Sequence, residues 1–326
     1  MSFHSNISVD SAFEPPTPSQ SQLYCRMLRK MGRDVLRLDL NGVGLGRLIL
    51  RDLGPLGKIA LMPGGPRWRQ GLSITARRDV LADLPRLARH HCIRALITNC
   101  ATPLDERILR ISGHLPLVTG GYHAQLDLGG SSKTRRARMQ GKWRNRLCHA
   151  ENHGITVNRA RFDPRRHGWL LEAEAKQRQT RGYRGLPLGF VSVAAETAPN
   201  QVQLFIASQR GTRLGAMLFL MHEGTATFHI GHLTDTGRGC SAHNLLLWQA
   251  ATWLARKDTT WIDLGPLETE TSAGLARFKL GSGAQPVQRG ASCLYSAVTS
   301  PLGRLTAGFS RKAARGIAGQ TGQSSR

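Results

Sequence analysis

TATFHIGHLTDTGRGCSAHNLLLWQAATWLARKDTTWIDLGPLETETSAGLARFKLG, residues 225–281, is the stretch whose reading decides the fold. Its start alternates, with Ala226, Phe228 and Ile230 on one face of a predicted strand and Thr227, His229 and Gly231 on the other. Asp235-Thr236-Gly237-Arg238-Gly239 breaks that alternation as a glycine-rich turn, and Ser241 or Asn244 can cap a helix after it. Leu245, Trp248, Ala251 and Ala255 recur at helical spacing, an apolar stripe for packing on a sheet. Thr260–Leu264 returns as a short strand, and a loop carries the chain to Phe278-Lys279. A strand, a glycine turn, a helix and a second strand give two parallel strands, with the helix N-terminus at one sheet end. Amides freed at such a turn suit a phosphate. Gly237, Arg238, Gly239, Ser241, His243 and Asn244 are therefore the candidates for binding a phosphate, whether of a nucleotide, coenzyme A or an RNA end.

Working outward, the order before this stretch is a helix and then three antiparallel strands. The strands are predicted over 201–208, 213–222 and 225–232, with turns at Gln209-Arg210-Gly211 and Glu223-Gly224. Helices are predicted over 133–153 and 165–180, with a strand at 155–162 between them. The first shows an apolar stripe (Met139, Trp143, Leu147, Ala150) and a cationic one (Arg135, Arg138, Lys142, Arg146, His149). Residues 181–189, RGYRGLPLG, read as a basic loop at the lip of a groove, with Arg178, Tyr183 and Arg184 as candidates for substrate binding.

The first part of the chain also alternates strands and helices. Strands fall at 33–40, 47–53, 58–62, 93–98 and 122–128, and helices at 76–91 and 104–111. Gly129-Gly130-Ser131-Ser132 is the expected hinge between halves. The expected division is a disordered lead-in (1–22), an N-terminal domain (23–130), a C-terminal domain (131–297) and a basic flexible tail (298–326).

Composition narrows the classes. At 326 residues there is room for two cores. No apolar run approaches the roughly 18 residues of a membrane span, and the polar, proline-containing start has no signal-peptide core, so a cytoplasmic protein is expected. Six scattered cysteines with no Cys-x-x-Cys pair argue against zinc and against a disulfide framework, and no metal is expected. A formal charge of +24 points to a polyanionic partner, tRNA among them, although only 8 of the 45 basic residues are Lys, a skew that GC-rich codons alone produce. Leu302, Leu305, Phe309 and Ile317, interleaved with Arg304, Arg311, Lys312 and Arg315, make the tail a candidate for peripheral membrane contact.

Four stretches resemble a known family: LMPGGPRW (61–68), YHAQLDLGGSSKTRRARMQGKWRNRLCHAENHGI (122–155), HLTDTGRGCSAHNLLLWQAATWLA (232–255) and WIDLGPLETETSAGLARFKLGSGA (261–284). They look like the acyl-CoA N-acyltransferases (GNAT), in the branch of the Fem peptidoglycan-bridge aminoacyltransferases and their acetyltransferase-like relatives. The resemblance implies an α/β (α+β) fold of two tandem GNAT-like domains, each a mixed sheet flanked by helices. It implies an N-acyltransferase whose Phe-Lys pair, here Phe278 and Lys279, is tied to the reaction. Thr234–Gly239 meets the family's Arg/Gln-x-x-Gly-x-Gly/Ala turn only in part, and no long coiled-coil arm is visible. Acyl-CoA (acetyl-CoA) and aminoacyl-tRNA both stay open as donors, and the acceptor is an amine-bearing small molecule or a cell-envelope precursor. A non-catalytic module bound to RNA or to surface polysaccharide is the alternative outside the enzymes.

Acyl transfer to an amine needs a neutral amine and a stabiliser for the oxyanion. Lys279 is the candidate cation and Phe278 positions it. His229 or His232 can face the cleft as a base, and Asp263, Glu268 and Glu270 are candidates either to bind the substrate amine or to act as base.

Overall fold

The computed structural model describes residues 12–305 except Arg184. In chain order the elements are α1 (Gln22–Lys30), β1 (Asp34–Leu40), β2 (Gly44–Asp52), β3 (Lys58–Met62), β4 (Arg67–Trp68), α2 (Ile74–His90), β5 (Ile93–Asn99), α3 (Pro103–Ile111) and β6 (Leu115–Val118). There follow β7 (Tyr122–Asp127), α4 (Ser132–Ala137), α5 (Gly141–Glu151), β8 (Thr156–Arg161), α6 (Pro164–Arg181), α7 (Gly189–Thr197), β9 (Val202–Gln209), β10 (Thr212–Met221) and β11 (Thr225–Leu233). The last are α8 (Asp235–Gly239), α9 (Ala242–Ala255), β12 (Trp261–Pro266), α10 (Ala273–Gly281), β13 (Gln285–Gln288) and β14 (Ser292–Ser296). Two mixed sheets with flanking helices result, the α/β class expected.

The chain forms two compact units, and they do not part at Gly130. Among the described residues, 21–31 and 122–287 make one, while 12–20, 32–121 and 288–305 make the other. In the second unit the sheet order is β1-β2-β3-β5-β14-β6, with β4 on β2 and with β3 and β5 parallel. Its core is Leu40, Leu48, Met62, Trp68, Leu81, Leu84, Leu96 and Leu109 among others. The lead-in is ordered from residue 12: Phe13 bridges Arg69, and the buried Gln20 amide donates to the carbonyls of Arg47 (3.0 Å) and Pro63 (2.8 Å). Gly64 of the PGGPRW stretch has φ +76°, and a Cβ there would stand 2.2 Å from Thr17 Oγ1. That glycine serves the packing of the lead-in. At the far end, residues 300–305 are helical, and a Cβ on Gly303 would meet the Gly113 carbonyl at 2.3 Å. The tail expected from 298 is thus folded to 305, and Phe309, Arg311, Lys312, Arg315 and Ile317 lie outside the described residues.

In the first unit the sheet order is β13-β7-β12-β11-β10-β9-β8. The strand at 122–127, expected to close the first half, pairs antiparallel with β12 in this sheet instead. One face packs on α5 and α9 through Trp143, Leu147, Leu246, Leu247, Ala250 and Leu254. The other packs through Leu170, Phe190, Val191, Ala194, Leu218 and Ile230, with Leu23 and Met27 of α1 in the same cluster. Helix α7 was not foreseen: Phe190, Val191 and Ala194 recur at helical spacing, but the Gly-Leu-Pro-Leu-Gly run before them reads as loop.

Three local expectations change. The helix predicted over 133–153 is two helices, broken at 138–140, where Gln140 turns extended and donates its N–H to the Gly281 carbonyl (3.0 Å). Residues 235–239 are a short helix rather than an open turn, capped by Thr234 Oγ1 on the Gly237 N–H (3.0 Å). Phe278 and Lys279 sit on α10, not on a loop.

Candidate functional site

Strands β11 and β12 run parallel for only three residue pairs, Thr225–Thr227 with Trp261–Asp263. Beyond them β11 runs on six residues to Leu233, held only by β10, while β12 bends away along β7. The parting opens a fork at the carboxyl ends of the two strands, the end of a parallel pair where ligands are held.

A bulge aims the side chains on β11. Phe228 pairs with Phe219 and Ile230 with Leu218, leaving His229 as the extra residue. The alternation shifts phase there. Ala226 and Phe228 pack with the α5/α9 core, whereas Ile230 packs with the α6/α7 core, which corrects the single face expected for all three. His229 is carried to the α6/α7 side, its ring 6.4 Å from Phe190, and its Nε2 is buried with no hydrogen-bond partner. Burial, and then the Arg178 charge, push its pKa down to about 4, so it is a neutral imidazole. His232 lies edge-on to Trp169 at 6.3 Å, and Trp169 carries the Arg213 guanidinium 3.7 Å above its ring.

Four groups meet where the strands part. Asp263, 2% exposed, accepts the Gly265 N–H at 2.7 Å and faces His123 of β7, whose Nδ1 lies 3.0 and 3.1 Å from its two oxygens. Lys279, 4% exposed, donates from Nζ to the Pro266 carbonyl at 2.7 Å. Burial lowers its pKa from 10.5 to about 8, against the opposing pull of Asp263 and Glu268. Gly265 has φ +85°, a left-handed conformation that suits glycine, and a Cβ there would sit 3.5 Å from Nζ. Nearby, His222 Nε2 pairs with Thr227 Oγ1 at 2.8 Å, and burial brings its pKa to about 4. Glu268 is exposed and accepts from Thr271 Oγ1 at 2.9 Å.

The Phe-Lys pair is fixed from behind. Trp143 Nε1 donates to the Phe278 carbonyl (3.0 Å), and the two rings lie 6.0 Å apart. On its other side the Phe278 ring stands 5.8 Å from His243, whose Nε2 donates to the His232 carbonyl at 3.3 Å. Burial sets the His243 pKa at about 4. Lys279, Phe278 and His243 are thus brought together as one wall of the fork.

The donor-side candidates divide. The N–H groups of Gly237 and Arg238 are already bonded to Thr234, and a Cβ on Gly237 would meet the Leu214 carbonyl at 2.2 Å. Gly237 is there for packing. Gly239 borders open space, and Arg238 pairs with Asp235 at 3.1 Å on the surface. Ser241 gives α9 no side-chain cap. It takes φ +59°, a strained conformation for a residue with a Cβ, and so turns the chain into the helix. Asn244 lies inside α9, buried, with its amide nitrogen unpartnered. The amides without intrahelical partners are those that open α9, at Ala242 and His243, rather than those of residues 237–239.

On the acceptor side, Glu174 of α6, 4% exposed, accepts from Arg178 Nε (2.7 Å) and from the Tyr183 hydroxyl (2.9 Å). Arg178 also donates to the Leu186 carbonyl at 2.7 Å, and its charge acts on His229. Arg178 and Tyr183 are therefore joined by a carboxylate that sequence reasoning passed over. Arg184 lies outside the described residues. His123 carries no signal of its own in the sequence, where the strand expected at 122–128 belongs to the other half of the chain. In the cationic stripe, Arg135 bonds the carbonyls of Leu128 and Gly130, and Arg138 bonds Asp127 and Gly129. Lys142, Arg146 and His149 remain exposed.

Residues 133–280 match the family model of the acetyltransferase (GNAT) domain. Among solved structures the chain is similar to FemX, at a TM-score of 0.73 and 11% identity over 92% of this chain and 96% of that one. It is also similar to the C-terminal domain of a putative lysylphosphatidylglycerol synthetase from Agrobacterium fabrum, at a TM-score of 0.52 and 13% identity over 84% and 87% of the two chains. No curated protein matches the sequence. No helix among the described residues is long and apolar enough to cross a membrane.

Proposed function

We propose that this chain, which carries an N-acyltransferase domain of the GNAT type on a Fem-like fold, moves an acyl group from acyl-CoA to an amine by direct attack in the β11/β12 fork. The observation that carries this reading is the buried Lys279 ammonium held at the point where the two strands part. Burial strengthens the field of a fixed cation, and it would stabilise the oxygen that becomes negative as the amine adds to the acyl carbonyl. Of its three N–H groups one is used by Pro266, leaving two to point elsewhere. The donor phosphates would lie at the opening amides of α9, beside Arg238 and Ser241. The acceptor would enter on the α6/α7 side, past Arg178, Tyr183 and Glu174, and a cell-envelope precursor or an amine-bearing metabolite would fit that polar wall.

A second reading, with aminoacyl-tRNA as donor, rests on the charge of +24 and the exposed Lys142, Arg146 and His149 of α5. Calorimetry with CoA, acetyl-CoA and uncharged tRNA separates the two. Micromolar CoA binding that is weakened by His243→Ala supports the first. Tight tRNA binding that collapses with salt, with no heat from CoA, supports the second. Neither ligand binding would leave the fold without its donor and favour a non-catalytic module.

A further inference from the structure

We propose that His123 is the proton acceptor of the transfer, held in place by Asp263. This rests on the acyl-transfer reading above and adds a catalytic residue to it. The geometry comes from the sheet. Between Asp263 and Pro266 the pairing of β12 with β7 slips, so that Asp263 opposes Gln125 and Pro266 opposes His123. Gly265 absorbs the extra residue with its positive φ, and its N–H turns onto Asp263 Oδ1. Ala124, Leu126, Ile262 and Leu264 fill the α5/α9 core, which puts His123 and Asp263 on the opposite face with Thr227. The carboxylate is thus buried, anchored by a backbone N–H, and within hydrogen-bonding distance of Nδ1 through both oxygens.

A carboxylate on Nδ1 fixes the tautomer that carries the hydrogen there and leaves the Nε2 lone pair free. The His123 side chain is 33% exposed, and among the described residues nothing bonds Nε2. The arriving proton makes an imidazolium beside a buried anion, which compensates the charge of Asp263. The other titratable groups around it have different tasks: His222 and His229 are neutral with pKa values near 4, Lys279 titrates near 8, and Glu268 is at the surface. In the step, Nε2 takes one proton from the acceptor ammonium. The freed nitrogen lone pair attacks the acyl carbonyl carbon, the C–N bond forms, and the donor's C–S bond (C–O for an aminoacyl ester) breaks. The leaving sulfur or oxygen departs with the electron pair and takes up the second amine proton, while His123 gives its own to water.

The test compares two acceptors with the donor that calorimetry selects, acetyl-CoA or alanyl-tRNA. Ethanolamine is an ammonium ion at pH 7, whereas hydroxylamine is largely neutral. His123→Asn is expected to cut kcat/KM for ethanolamine at pH 7 on the order of 100-fold, while hydroxylamine transfer changes only a few-fold. Equal losses for both acceptors would overturn the proposal. Nitrogen-15 NMR of histidine-labelled protein supplies a readout independent of turnover. It should show the His123 hydrogen on Nδ1, lost as a preference in Asp263→Asn, and a hydrogen on Nε2 in the wild type would overturn the assignment. If the wild type acylates neither amine, the acyl-transfer reading fails, and the NMR result still decides the His123–Asp263 pairing.

Discussion

Lys279 is the residue on which the site's electrostatics turn. Its burial makes the charged form costly, and this has two measurable consequences. A lysine whose pKa falls from 10.5 to about 8 on folding is protonated in both states below pH 8 and in neither well above 10.5. Between these values the unfolded chain binds the extra proton, so this group's contribution makes stability rise with pH across that window, by on the order of 3 kcal/mol. Lys279→Met should flatten that rise in urea melts run from pH 8 to 10.5. Activity should move the opposite way: with Lys279 as the oxyanion's cation, kcat falls as pH rises through about 8. A wild-type rate that stays level to pH 10 would remove the charge of Lys279 from the chemistry.

Phe278 and Lys279 were legible by resemblance, and they do stand together with His243. Asp263 was legible as a strand-end carboxylate. His123 was not, because it is 140 residues away and meets Asp263 only through a strand that crosses to the other sheet. Glu174 was hidden for another reason. A glutamate inside a charged helix looks solvated until the 182–188 loop folds over it and brings Tyr183 to its second oxygen.

Among the elements, the stretch 234–241 separates packing from ligand binding. Gly237 has no room for a methyl group against the Leu214 carbonyl, whereas Gly239 faces open space. Gly237→Ala should cost about 1–3 kcal/mol of stability, and Gly239→Ala should change it by less than about 1 kcal/mol. Thermal melts of both variants, each with donor-binding calorimetry, test this. If Gly239→Ala abolishes donor binding without unfolding the protein, the phosphate contact lies at residues 237–239 after all. The strands of this unit were readable from their apolar runs and the tight turns at Gln209-Arg210-Gly211 and Glu223-Gly224, although helices cover both faces of the sheet. The bulge at His229 was not, since it is dictated by the register of β10 and leaves no mark in the composition of β11. The break between α4 and α5 had the same origin: Gln140 leaves the helix to bond Gly281, 141 residues along the chain.

For the whole molecule, the buried histidines give a signature. His114, His222, His229 and His243 all have pKa values driven by burial to about 4 from 6.5. Below 6.5 the unfolded chain takes protons that the folded one refuses, so stability falls as pH drops from 6.5 toward 4. Denaturant midpoints should decline steadily across that range, and the decline should lessen in His229→Gln. The charge of +24 predicts a second global property. Any tRNA binding should weaken steeply with salt, and Lys142→Ala with Arg146→Ala should reduce the slope by about two. Two α/β units were visible in the alternation of elements, but their boundary was not. Strand β7 and helix α1 join the unit that lies mostly after them, and β14 joins the one before, so no linker composition marks the division.

The most direct test of the account is a single-turnover measurement of acyl transfer from the bound donor, acetyl-CoA or aminoacyl-tRNA, to an amine, comparing wild type with Lys279→Ala. With Lys279 as the oxyanion's cation, the variant should fold, bind donor within a few-fold of wild type, and transfer the acyl group on the order of 100- to 1000-fold more slowly. Transfer at the wild-type rate by the folded variant would contradict it and move the chemistry away from the fork.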